Sequence, residues 1–278
     1  LCITIYQSPY SKRAHPQGIS GTKTLYVNRN FYAETKVEQI AKDFRLLYNG
    51  SIVHGSQLLK NEDEPTTYYT RDSGLGIGIN AVRNSQRIIP LRVASIGLGV
   101  GTTAAYCQPK DTFIFYELNP AVITIASRYF TYLNRCTIRG GFTSIIEGDG
   151  RIRLEDEEQT NTPPYDILIV DAFSDDAIPT HLLTREAIQL YSHRTQTHGT
   201  IFFHISNRYI DLVPMLYAQN QILGLYSYLI TTQESRWFIM SKEKLQSLTQ
   251  YEVHSNTHVS TWTDQYSSII PVLQFYRN

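Results

Sequence analysis

Between Lys23 and Leu59 the chain reads "KTLYVNRNFYAETKVEQIAKDFRLLYNGSIVHGSQLL", with apolar and polar residues alternating over long stretches. That period of two belongs to strands buried on one face. Asn49-Gly50, between "FRLLY" and "SIVHG", predicts a two-residue hairpin turn. The first 75 residues therefore predict several antiparallel strands, and "NEDEPT" (61–66) a polar connector. From about residue 75 the pattern changes. "GLGIGINAV" can open a helix, and short apolar runs follow at "LRVASIGLG" (91–99), "DTFIFYELN" (111–119), "FTSIIEGDG" (142–150), "YDILIVDAF" (165–173) and "GTIFFHISN" (199–207). Asn119-Pro120 supplies an N-cap and a first-turn proline for one intervening helix. Thr184 caps another, "REAIQLYSHR", which is expected to end near Gly199. Strands alternating with helices predict an α/β fold, a Rossmann-like parallel sheet covered on both faces. The predicted division is an N-terminal β-rich domain over residues 1–74 and an α/β domain over 75–278. No internal repeat or low-complexity segment stands out.

Composition narrows the function classes. The 278 residues are 42% hydrophobic and 18% charged with zero formal net charge, which describes a globular chain and gives no electrostatic case for nucleic acid. Twenty tyrosines suit strands and can also wall a ligand. Cys2, Cys107 and Cys136 are scattered and odd in number, so neither a disulfide framework nor a metal cluster is expected; a reducing compartment fits. No run of 18 apolar residues occurs. The chain starts at Leu1 rather than Met, so it is read as a candidate piece of a longer protein, with membrane segments elsewhere as an open expectation.

Candidate chemistry gathers where ligands bind in open parallel sheets, beyond the carboxyl ends of the strands. The first strand runs into Gly97-Leu98-Gly99-Val100-Gly101-Thr102, a GxGxG loop that departs from the GxGxxG dinucleotide fingerprint at Thr102. The second ends at Glu117, twenty positions after Gly97, where an acid can accept two hydroxyls of a ribose. The third ends at Asp149, in "EGDGR", which can accept from an exocyclic amine and has Gly150 beside it. The fourth ends at Asp171, after four apolar residues, an acid suited to binding a cation or accepting a proton. Asp175 and Asp176 follow as loop carboxylates. His204 closes the fifth strand and reads as a core or supporting residue, since no metal partner is spaced near it.

The run "GLGVGT", "YELNP", "EGDGR" and "VDAFSDDAIPTHLLTREA" resembles the spermidine synthase family, the polyamine aminopropyltransferases. "LYNGSIVHGSQ", "PTTYYTRDSGLG", "HISNRYIDLVP" and "WTDQYS" resemble in particular the subfamily fused to bacterial membrane transporter-like segments. The similarity covers roughly residues 28–272. It implies a class I methyltransferase-like domain preceded by a small β domain. It also implies decarboxylated S-adenosylmethionine as aminopropyl donor, with a polyamine acceptor such as putrescine and no metal. On this resemblance Gln57, Gly97, Gly99, Gly101, Glu117, Asp149 and Gly150 hold the donor. Asp171 and Tyr68 act on the attacking amine, and Asp175 and Tyr69 bind the acceptor. A homodimer, and a cytoplasmic location either free or tethered to the inner membrane, are implied as well.

The spelling also departs from the family. Authentic synthases carry an Asp in the glycine loop that grips the aminopropyl amine, where this chain has Val100. Their catalytic loop reads Asp-Ser/Thr-Ser/Thr-Asp-Pro, where this chain has "DAFSDD", and "YYTRD" replaces a His-Glu pair after the first Tyr. Two further readings therefore stay open: an S-adenosylmethionine-dependent methyltransferase, and a non-catalytic nucleoside-binding domain of a membrane protein. A nicotinamide-dependent oxidoreductase is disfavoured by Thr102.

Overall fold

The structure, a computed structural model, describes residues 21–50, 52–86, 90–173, 178–207, 210–254 and 259–273. Strands β1 (Thr22–Arg29), β2 (Glu34–Ile40), β3 (Phe44–Asn49) and β4 (Ile52–Leu58) form an antiparallel meander in sequence order. The β3–β4 turn starts one residue later than expected. Asn49 pairs with Ile52, and Gly50 takes the left-handed backbone at φ +57°.

The second sheet is built from β5 (Arg92–Ile96), β6 (Thr112–Glu117), β7 (Phe142–Glu147), β8 (Tyr165–Val170), β9 (Thr195–His204), β10 (Tyr226–Thr231) and β11 (Arg236–Ser241). Their order is β10-β11-β9-β8-β5-β6-β7. The run from β9 to β7 is parallel, and β11 enters antiparallel to β9. From β5 the chain winds outward through β6 and β7, then returns to β8 on the other side of β5. The topological switch point therefore lies between β5 and β8.

The pleat sends alternate residues to opposite faces. Val93, Phe113, Phe115, Ile167, Ile169 and Phe202 pack with helices α1 (Gly74–Gln86) and α2 (Pro120–Tyr129). Ile96, Tyr116, Leu168, Val170, Ile201 and Phe203 face α4 (Gly150–Gln159), α5 (Arg185–His193) and α6 (Val213–Leu223). A short α3 (Tyr132–Ile138) lies between α2 and β7. Each fully buried Ile or Phe contributes about 1.5–3 kcal/mol relative to exposure, so this two-sided core sets where the strand ends stand.

Three sequence expectations are corrected. The helix after Thr184 stops at His193, and β9 begins at Thr195 rather than residue 199. Arg194 explains the early stop: its guanidinium is held by Glu157 and by the carbonyls of Thr162 and Pro163, which turns the chain straight into the Tyr165–Thr195 pairing. The β10–β11 hairpin was not expected at all. The cysteines are not all unpaired: Cys107 and Cys136 form a buried disulfide with Cα atoms 5.4 Å apart. Gly141 makes room for it, since a Cβ there would lie 2.2 Å from Cys107 Sγ. Disulfides persist in oxidising surroundings, which counts against the reducing-compartment reading. Among the described residues no helix is long and apolar enough to cross a membrane.

Candidate active site

The site grows out of the β5–β8 switch point. Asp171 N–H donates to the carbonyl of Ile96 (2.9 Å), so the end of β8 and the start of the glycine loop are stitched together. Gly97 takes φ +99°, and a Cβ on it would stand 2.3 Å from the carbonyl oxygen of Asp171. Both the backbone angle and the space demand glycine. Gly99 and Gly101 also have positive φ, and the loop runs into a 3₁₀ turn at Thr102–Tyr106. Val100 is buried against Gly55 of β4, where any side chain would strike it. The small sheet thus closes on the loop through an apolar contact.

Glu117 lies under this loop. Its Oε2 accepts the N–H of Leu98 (3.1 Å) and its Oε1 the N–H of Asn119 (2.8 Å), while Asn119 caps α2. Burial raises the pKa of Glu117, and these amide donors oppose the rise. Asp149 caps α4, its Oδ1 accepting from the N–H groups of Arg151 (2.9 Å) and Ile152 (3.2 Å). Its Oδ2 meets His181 Nε2 at 3.0 Å, and that hydrogen bond holds the carboxyl below its usual range. Gly150 permits close helix–sheet packing, since a Cβ there would come within 2.6 Å of Ile96.

Asp171 sits in a different kind of setting. Its side chain is only 7% exposed. Tyr69 donates its hydroxyl to Oδ2 (2.5 Å), and His204 Nδ1 lies 2.8 Å from Oδ1. The opposite ring nitrogen of His204 is 2.8 Å from Ser206 Oγ, which accepts the backbone N–H of Arg236 (2.9 Å). That order of donors places a proton on Nδ1, directed at Asp171, when the imidazole is neutral. Trp237 stacks on His204 (centroids 4.5 Å apart, planes 14° apart), and the rings of Tyr68 (4.7 Å) and Phe173 (4.9 Å) pack on the same imidazole. Burial and the charge of Asp171 push the Tyr69 phenol well above its ordinary pKa, so it stays a donor. These rings enclose the imidazole itself, so the carboxylate stands at the edge of a packed aromatic cluster.

The structure sorts the expected residues. It brings Gly97, Gly99, Gly101, Glu117 and Asp171 to one place, with Asp149 and Gly150 at the head of α4 beyond β7. Of the two tyrosines, Tyr69 rather than Tyr68 bonds to Asp171; Tyr68 packs its ring on His204. Gln57 is fully buried and joins β4 to the start of α3, bonding the Thr131 hydroxyl (2.8 Å), the Thr131 N–H (3.1 Å) and the Glu62 carbonyl (3.0 Å). A ligand could reach that amide only by displacing one of these bonds. Asp175 lies outside the described residues. His204 is buried as expected, yet its bond to Asp171 gives it a part in the site that its sequence position did not reveal. The available signal was its place at the end of β9, since Val170 pairs with Phe203. Among the described residues no three acidic, His or Cys side chains are grouped to hold a metal.

The overall fold is shared with solved spermidine synthases, and a smaller part of it with a solved methyltransferase. No protein-family profile matches the chain. The polyamine aminopropyltransferase of Vibrio vulnificus (strain CMCP6) is 28% identical over 142 residues, covering 42% of this chain and 46% of that protein. The match therefore spans less than half of the relative's length. A probable spermidine synthase from Corynebacterium glutamicum superposes with a TM-score of 0.63 at 15% identity, over 80% of each chain. A spermidine synthase in complex with the transition state analogue AdoDATO gives a TM-score of 0.54 at 13% identity, covering 87% of this chain and 82% of the other. Human methyltransferase-like protein 13 in complex with SAH gives 0.50 at 18% identity, covering 68% and 93%.

Proposed function

We propose that this chain is an aminopropyltransferase of the spermidine synthase type. It would move the aminopropyl group of decarboxylated S-adenosylmethionine to an amine, with a diamine such as putrescine as acceptor. The observation that carries this reading is Asp171, held by Tyr69 and His204 beside an aromatic cluster and bonded through its backbone N–H to Ile96, where the glycine loop begins. The partial sequence likeness to a polyamine aminopropyltransferase supports it.

The glycine loop and Glu117 would hold the nucleoside, with Glu117 turning from Leu98 N–H toward the ribose hydroxyls. Asp149 and its neighbour His181 would border the adenine. A protonated amine would approach Asp171 as a cation, attracted by its charge. It must lose a proton before it can attack. The nitrogen lone pair then forms a bond to the aminopropyl carbon attached to the sulfonium, and the C–S bond breaks. Its electron pair stays on sulfur, leaving neutral methylthioadenosine. Asp171 accepts the departing proton, with Tyr69 and His204 steadying its charge. The rest of the work is positioning.

One observation favours a second reading. Val100, packed on Gly55, puts no carboxylate in the glycine loop, so nothing there would repel the carboxylate of ordinary S-adenosylmethionine, and methyl transfer would follow. Calorimetry decides between them. The aminopropyl reading expects the decarboxylated donor to bind more tightly than S-adenosylmethionine, with methylthioadenosine also bound. Tight binding of S-adenosylmethionine alone would sink it, and no binding of any of the three would remove the nucleoside reading altogether.

A further inference from the structure

A second concavity lies behind the tyrosine pair. It measures about 240 Å³ and is bounded by Asn80 and Arg83 of α1, the 3₁₀ turn at Ala105 and Tyr106, and Arg139 beyond α3, with Asp63 and Arg71 at its rim. Three arginines thus line one space with a single lining carboxylate. Arg139 donates to the carbonyls of Cys107 (3.0 Å) and Ala104 (2.7 Å) and pairs with Asp63, which is shared with Arg135. Arg83 bonds to Asp111 and to the Tyr106 carbonyl (3.1 Å), but its Nη1 is buried with no hydrogen-bond partner, on a side chain only 10% exposed. Arg71 makes a long contact to Glu64 (3.4 Å) and is 55% exposed. Burial, together with repulsion from Arg135 and Arg71, lowers the pKa of Arg139, as expected where cations are crowded.

We infer that this cleft binds a phosphate-type oxyanion, either inorganic phosphate or the phosphate end of a nucleotide. Planar guanidinium forks match such oxygens, and the exposed Arg71 can swing from its long contact with Glu64 to an anion there. The cleft is also wired to the candidate active site. Tyr106 lines the cleft, lies 5.8 Å below the Arg71 guanidinium, and donates its hydroxyl to the backbone carbonyl of Tyr69 (2.5 Å). An anion drawing in Arg71 therefore steadies the segment that presents Tyr69 to Asp171.

The test is calorimetry on the whole chain with inorganic phosphate in one arm and ADP in the other. The wild type is expected to bind phosphate saturably at one site. Arg71→Gln and Asn80→Asp, the latter adding a negative charge at an exposed position on α1, are each expected to weaken it at least tenfold while leaving thermal unfolding unchanged. Tighter binding of ADP than of phosphate, with the same dependence on Arg71, identifies the occupant as a nucleotide; equal or weaker binding identifies free phosphate. Phosphate is also expected to slow amide exchange over residues 67–73. Absence of saturable binding, or equal affinity in both variants, overturns the site, and unchanged exchange overturns its link to Tyr69. No donor or acceptor is needed, so the result stands apart from that of the transfer reading.

Discussion

Glu117 and Asp171 end two strands of one sheet, on either side of β5, yet different kinds of partner hold them. Glu117 accepts backbone amides from Leu98 and Asn119, both within two positions of the loops it borders. Asp171 accepts from the side chains of Tyr69 and His204, brought in from α1's approach and from β9. Amides of the main chain serve any sequence that keeps the loop shape. Side-chain donors serve only a sequence that keeps those residues. On the proposed reading, the nucleoside half of the site would thus rest on main-chain amides and the amine half on particular side chains.

The largest test of that contrast is Asp171→Asn. It is expected to lower turnover by roughly 10²–10⁴-fold while leaving the methylthioadenosine affinity within about threefold, by single-turnover kinetics and calorimetry. Equal loss of both would merge the two halves. Glu117→Gln should do the reverse, weakening nucleoside binding by roughly 10–100-fold through loss of charged hydrogen bonds. Its pH dependence follows from burial, which raises the Glu117 pKa. In the proposed role, the ionised form is the one that would accept ribose hydroxyls. Affinity is therefore full above the raised pKa and is lost as pH falls through it, sooner than for an ordinary glutamate; titrations at a series of pH values between about 7 and 4 read this directly. A flat profile would show that Glu117 does not meet the ligand.

Much of this was open to a reader of the sequence, and the reason is geometric. The glycine loop, Glu117, Asp149 and Asp171 each follow a short apolar run, and parallel strands deliver such positions to one edge. Tyr69 and His204 were harder, because they lie 102 and 33 positions from Asp171 and meet it only through the packing of α1's entry and the β8–β9 pairing. The first residues of β9, "TQTH", are polar and read as loop, although Arg194 pulls them into the sheet. The disulfide was hidden for a related reason: three cysteines leave the pairing open, and only the folding of α3 back onto the 3₁₀ turn joins Cys107 to Cys136.

His204→Gln sharpens the comparison on a smaller scale. It is expected to lower kcat roughly tenfold with little change in KM, because Asp171 loses a donor but keeps Tyr69. A change in KM alone would make His204 part of acceptor binding instead. The smallest effect belongs to the nucleoside side. Asp264 pairs with Arg151 at the head of α4, and that bond lowers its pKa from 3.8 to about 2. A depressed folded pKa contributes stability that is present above the unfolded value and lost as pH falls from about 3.8 toward 2. Because the pair is exposed, Asp264→Asn is expected to cost under about 1 kcal/mol at neutral pH, and less still at pH 2, by thermal unfolding.

Trp237 gives the amine half one more property. The chain has two tryptophans. One lies flat against His204 with its indole nitrogen bonded to the Tyr68 carbonyl (3.2 Å), and the other, Trp262, is buried in the core on the opposite face of the sheet. The emission of Trp237 should therefore follow the tilt of the imidazole beside it while Trp262 stays constant. That would give the protein its own optical gauge of events at Asp171, readable without label or coupled assay.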